Sequence, residues 1–152
     1  MDESPHDRLL SRVRERRQGV RSAMSALEHA LAAPSSASVD EWATIVRREL
    51  ERLGAALERH VANAEARGGL FQDVIEHAPR LVNRVDKLRR DHDALTTELA
   101  ALAQQLHGPR VADRIAAVRE EGIDLLAHFA HHRHLGSELV YEAFNVDIEA
   151  AD

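Results

Sequence analysis

The chain has 152 residues, a formal net charge of −6 and no cysteine. That length predicts one domain, taken here as residues 1–152 with an ordered core over about 6–148, large enough to bury most of its apolar surface without covalent staples. The missing cysteine excludes disulfides, zinc–thiolate sites, iron–sulfur clusters and cysteine nucleophiles, and the negative charge argues against a nucleic-acid partner.

No run approaches the ~20 apolar residues that span a bilayer, so no membrane partner is expected. The opening stretch Met1–Leu10 is acidic and polar, without the basic-then-apolar order of a secretory signal, and a cytoplasmic protein is the expectation. A Gly-rich phosphate loop, a nucleophile elbow and a His-Glu-x-x-His motif are all missing, so the chain is read as a binding protein and not an enzyme.

Four long segments with helical periodicity fill most of the chain. The first runs from about Pro5 to Ala33, with Leu9, Val13, Val20, Met24, Leu27 and Leu31 on one face. Pro34-Ser35-Ser36 ends it, because proline cannot continue a helix. Ser38 with Glu41 forms a capping box for the second segment, whose stripe is Val46, Leu50, Leu53, Leu57, His60 and Ala64. Gly68-Gly69 closes it. Residues 70–78 read as a short helical turn, and Pro79 as the first position of the third helix.

That third segment carries the stripe Leu81, Val85, Leu88, His92, Leu95, Leu99, Leu102 and Leu106. After Gly108-Pro109 the fourth carries Ile115, Val118, Leu125, Phe129, His132, Gly136, Leu139 and Ala143. Short connections between amphipathic helices favour antiparallel neighbours, hence an all-α, up-down-up-down four-helix bundle. A helical hairpin that completes four helices by dimerising is the competing architecture.

Three of the ten histidines interrupt otherwise apolar seams. His60, His92 and His132 lie on different helices, each close to the mean apolar direction of its own stripe at 100° per residue. A single inward imidazole is ordinarily a hydrogen-bonded core residue. Three on separate helices point to rings converging inside a bundle, the arrangement a metal ion requires.

His128, one turn before His132 and about 60° off the stripe, makes an i, i+4 pair able to share an ion. Carboxylate ligands are harder to place. Glu65 and Glu138 are the nearest acids, both away from the seam direction, and Gly136 offers space but no donor atom. By simple rise, His60 and His132 come out nearly level, His92 roughly 10 Å deeper and His128 between them.

The runs His60-Val-Ala-Asn-Ala-Glu65, Glu76-His-Ala-Pro-Arg-Leu81, Arg90-Asp-His92 and His132 through Ile148 together resemble bacterial hemerythrin-like proteins, in particular an actinobacterial branch. The resemblance spans about Leu27 to Ile148, and Leu139-Val-Tyr-Glu-Ala-Phe-Asn-Val-Asp-Ile148 is its most specific stretch. It implies a four-helix bundle binding non-haem iron, in well-characterised members two irons, with dioxygen or another small molecule as ligand.

The resemblance gives His60, His92, His132, Glu65 and Glu138 as the metal residues, and the i, i+4 position adds His128 to them. Glu65 falls one residue later than the family's acid. Thr96 stands where a second histidine of the third helix is usual, and Gly136-Ser137 where the last-helix acid is usual, leaving Glu138 as the nearest substitute. No first-helix histidine matches; His29 faces away from its stripe. A di-iron site, a mononuclear site and a metal-free interaction domain, with a protein partner or a second copy of the chain bound, therefore all stay open.

Overall fold

In the computed structural model the described residues are 4–145, apart from the side chains of Pro5, His6, Leu9 and Arg16. The seam position expected at Leu9, the tail of the resemblance at Val146-Asp147-Ile148 and the core limit at 148 lie outside them. Five α-helices follow in order: α1 Pro5–Ala32, α2 Val39–Glu65, α3 Leu70–His77, α4 Val82–Gln104 and α5 Ile115–Phe144. There is no strand among the described residues, and no helix there is long and apolar enough to cross a membrane.

The helix limits follow from local chemistry. Ser4 caps α1 by accepting from Asp7 N at 3.1 Å, with Pro5 in the first turn where its missing N–H costs nothing. Ser38 caps α2 by accepting from Glu41 N at 3.2 Å. Beyond α2, Gly68 takes φ 74°, open to glycine without strain, and a Cβ on Gly69 would stand 2.3 Å from the Asn63 carbonyl oxygen. The chain therefore turns sharply and α3 starts at once.

Pro79 does not open the next α-helix as expected. Residues Pro79–Leu81 form one 3-10 turn, and α4 begins at Val82. A second 3-10 turn, Val111–Arg114, precedes α5. Arginines close several helix ends: Arg119 donates to the carbonyls of Leu31 (3.0 Å) and Ala33 (2.9 Å) at the end of α1, and Arg47 to that of Leu106 (2.7 Å).

The long helices pack in a ring, α1 beside α2 and α5, and α4 likewise beside α2 and α5. Their directions can be read from two core clusters. One holds Val20–Leu31 of α1, Trp42–Leu57 of α2, Leu95–Leu102 of α4 and Val118–Phe129 of α5. The other holds Leu10 and Val13, then Ala64, then Val85 and Leu88, then Leu139–Ala143, together with Leu70, Phe71 and Val74 of α3. Residue numbers rise from the second cluster to the first along α1 and α4 and fall along α2 and α5. That alternation is an up-down-up-down bundle.

Between the two clusters each long helix contributes polar residues, among them Arg17, His60, His92 and His132. Three of these are buried, Arg17 at 6 %, His92 at 1 % and His132 at 4 % exposure. Polar side chains are this deeply placed only when the site itself supplies partners. One stacked polar layer thus divides an otherwise dry interior.

Candidate metal centre

Three helices bring the three imidazoles face to edge. The ring centroids of His60 and His92 are 5.1 Å apart, of His60 and His132 5.4 Å, and of His92 and His132 4.8 Å. One ring nitrogen from each lies within 4.8 Å of the other two. The 10 Å axial offset expected for His92 is absent. His92 sits ten residues into α4 but His60 only five from the end of α2, and the inserted α3 and 3-10 turn let α4 start below that end.

The outer nitrogens are fixed first. His92 Nδ1 donates to Glu65 Oε1 at 3.0 Å, and His132 Nδ1 donates to Asp91 Oδ2 at 2.7 Å. A neutral imidazole holding its proton on Nδ1 presents a bare lone pair on Nε2, so both carboxylates aim an Nε2 inward. This carboxylate–histidine pairing is the one that orients imidazole ligands in metal sites. Phe71 of α3 stacks on the His92 ring at 5.6 Å with planes 12° apart, which holds its remaining freedom.

The inner nitrogens fit a cation. His60 Nε2 and His132 Nε2 are 3.3 Å apart. Two nitrogens bound at about 2.05 Å to a tetrahedral ion stand about 3.3 Å from each other. His92 Nε2 is buried with no hydrogen-bond partner, a deficit that costs about 1–3 kcal/mol in a protein interior. A cation would satisfy it, with ring rotation closing the widest nitrogen separation from 4.8 Å.

Electrostatics keeps His60 and His132 neutral. Burial pushes His60 down to about 3, helped by the neighbouring His92 and His132 and by the charges of Arg17 and Arg133. Burial likewise pushes His132 down to about 4, with His92 adding to it and Asp91 pulling the other way. Neutral imidazole is the ligating form.

The remaining sequence candidates are not in the trio. His128 points into a separate pair of acids, its Nε2 donating to Asp91 Oδ1 at 2.5 Å and its Nδ1 to Glu98 Oε2 at 2.8 Å. Burial lowers its pKa, but the two carboxylates outweigh that and raise it overall. Glu65 stands on the outer side of His92 as its acceptor. Glu138 is half exposed and pairs with Arg84 at 3.8 Å and His134 at 3.1 Å. The group of three histidines is thus a three-nitrogen set, and the acids serve it from outside.

Sequence reasoning missed Asp91, Arg17 and Phe71. Arg17 was the most accessible of these: the α1 stripe steps from Val13 to Val20, and position 17 lies one turn after Val13 on the same face. Its guanidinium Nη1 donates to the Arg133 carbonyl at 3.1 Å, and a Cβ on Gly136 would lie 4.0 Å from that nitrogen. A Cβ at 136 would meet the arginine only at ordinary contact distance, so the inward glycine is not required for it. No family model, curated protein or solved structure matches this chain.

Proposed function

We propose that this protein binds one transition-metal ion through His60, His92 and His132, and that it is a hemerythrin-like, non-haem iron protein for binding or sensing oxygen. The observation that carries the metal reading is the orphaned Nε2 of His92, buried beside two other Nε2 atoms whose partner rings are already oriented by a carboxylate or by packing. The choice of iron, and of oxygen as the ligand, rests on the sequence resemblance. Three neutral imidazoles suit iron, zinc, copper or nickel alike.

One ion is favoured over two because the acids are committed elsewhere. Glu65 and Asp91 each hold an Nδ1–H, which leaves no carboxylate placed as a bridge in this layer among the described residues. Iron held by His60, His92 and His132 would supply a redox-active centre. The chain's own part is to orient the rings through Glu65, Asp91 and Phe71 and to exclude water with the apolar clusters above and below. Binding, not turnover, is the role that this dry layer serves.

Anaerobic reconstitution of tag-free protein with ferrous iron tests the proposal. One ion per chain and a rise in Tm that saturates at that ratio are expected. The variant with His60, His92 and His132 all changed to Leu should bind none. Wild-type protein whose Tm ignores ferrous iron, and which retains no metal after gel filtration, would overturn it. The alternative, a metal-free interaction bundle, would then account for the His60–His132 contact as a plain core hydrogen bond.

A further inference from the structure

Asp91 and Glu98 stand about two turns apart on α4, so both face the same side of that helix. His128 and His132 stand one turn apart on α5. The two pairs mesh. Asp91 Oδ2 accepts from His132 Nδ1 at 2.7 Å, Asp91 Oδ1 accepts from His128 Nε2 at 2.5 Å, and His128 Nδ1 goes on to donate to Glu98 Oε2 at 2.8 Å. Four side chains thus form one hydrogen-bonded chain from a buried ring of the metal layer to the surface, where Glu98 is half exposed.

The first link of this chain orients His132; the outer links decide whether that link holds. An aspartate with one partner turns readily about its Cβ–Cγ bond, and Asp91 is open enough to water, at 20 % exposure, for its oxygens to exchange that partner. A second hydrogen bond on the other oxygen removes that freedom. Both contacts are short and end on a carboxylate, the class of hydrogen bond roughly twice as strong as neutral ones. Glu98 in turn keeps His128 Nδ1 from the water of an open groove of about 460 Å³ that both residues line. A plain crosslink between α4 and α5 would need only His128 and one acid. The sharing of Asp91 ties it to His132. His92 relies instead on Glu65 and on the stacked Phe71 ring.

We propose that His128 and Glu98 are positioning residues of the metal centre, which lock the Asp91 carboxylate in the orientation that aims His132 Nε2 inward. This rests on the metal reading and deepens it: the centre extends two side chains beyond Asp91, and His128 serves it without touching the ion.

The test compares the full wild-type chain with His128→Leu, His128→Gln, Asp91→Ala and the double variant of Asp91→Ala with His128→Leu, each checked for folding by circular dichroism. Cobalt(II) is the probe. Its affinity is read by competition with a chelator and its ligand sphere by the visible bands. Wild type should bind one cobalt per chain. His128→Leu should bind it about tenfold more weakly, the lower end of the range for partners outside the ligand shell. His128→Gln keeps an amide N–H for Asp91 and should recover most of that loss. In the Asp91→Ala background, His128→Leu should cost less than about twofold, because the residue it acts through is already gone.

His128→Leu affinity equal to wild type, or a loss that persists undiminished in the Asp91→Ala background, would overturn the positioning role and leave the metal reading standing. So would His128→Gln no better than His128→Leu. If wild type does not bind cobalt, the metal reading fails, and imidazole proton spectra of the metal-free chain judge the orientation of His132 alone. A His132 Nδ1–H signal that exchanges slowly in wild type and broadens in His128→Leu is expected; equal persistence in both would overturn the lock. Should His128→Leu not fold, Glu98→Ala takes its place: weaker cobalt binding than wild type is expected, and equal binding would overturn the proposal.

Discussion

Asp91 holds two imidazoles whose proton affinities are shifted in opposite directions. Its Oδ2 accepts from His132, whose pKa burial lowers, while its Oδ1 accepts from His128, whose pKa Asp91 and a second carboxylate, Glu98, raise against the effect of burial. Burial raises the pKa of Asp91 itself, but the two histidine hydrogen bonds outweigh this and hold it below the ordinary carboxylate value. Asp91→Asn should therefore loosen the orientation of His132 and weaken metal binding by about tenfold to a hundredfold, measured by competition with a chelator. Affinity within twofold of wild type would show that Asp91 does not serve the metal layer. The pH dependence follows from the same residues. Unfolded, His60 and His132 titrate near 6.5; folded, they do so at about 3 and about 4. The unfolded chain then binds the extra protons, so their contribution is whole above pH 6.5 and is lost as pH falls toward 4 and then 3, by up to about 1.4 kcal/mol per pH unit for each ring. His128 shifts the other way, so its contribution is complete below 6.5 and adds no slope in that window. Urea midpoints of metal-free protein should drop from pH 6.5 to pH 4.5, and the drop should shrink when His60 and His132 are both Leu; a flat profile in wild type contradicts the burial. At this scale the inward histidines were legible because a stripe position announces direction. Glu65 was named as a ligand, but its actual role as acceptor from His92 was not legible: as the last residue of α2 it reaches that ring with a long side chain from the helix end, which angular position on an ideal helix does not capture.

Among the elements, α3 does the most for the site relative to its length. Eight residues, Leu70–His77, close one end of the bundle, burying Leu70, Phe71 and Val74 in the lower cluster. Phe71 lies against His92, with the Arg89 guanidinium 5.6 Å above the Phe71 ring on the other helix. Phe71→Ala should cost about 3–5 kcal/mol of stability, as large-to-small core changes do, and should weaken metal binding further than that loss of packing alone. Chemical denaturation gives the first quantity and metal titration of the folded variant the second; a destabilised protein with unchanged metal affinity would make α3 a plug and nothing more. The sequence marked 70–78 as a short helical turn, because Gly68-Gly69 and Pro79 bracket it, and that much agrees with the structure. Its contact with the histidine layer depends on how the turn folds back, a tertiary matter. The same absorbed chain explains why His92 lies level with its partners when simple helical rise put it 10 Å away. Gly122 of α5 shows another hidden constraint: a Cβ there would come within 2.4 Å of Leu31, so α1 and α5 approach closely at a position that reads as a mere gap in the stripe.

For the whole molecule, two apolar clusters would make a stable bundle by themselves, and the polar layer between them lowers that stability. Replacing His60, His92 and His132 together by Leu should leave the metal-free protein equally or more stable, because it removes a buried unsatisfied nitrogen and fills the layer with apolar volume. A loss of several kcal/mol in urea unfolding would mean that the imidazoles hold the fold together, against the view that they are retained for a ligand. Fold class and topology were readable because amphipathic periodicity and three strong breaks, at Pro34, Gly68-Gly69 and Gly108-Pro109, constrain four helices to one arrangement. The convergence of the rings was readable only as an inference from three coincident interruptions, and the arginine beside them only from position 17 of the α1 stripe, which was passed over. The account stands or falls on what those nitrogens bind. X-ray absorption fine structure of the iron-reconstituted protein measures it most directly. Three imidazole scatterers per ion, reduced to two by His92→Leu, are predicted; a shell made of oxygen alone, unchanged in that variant, would contradict it.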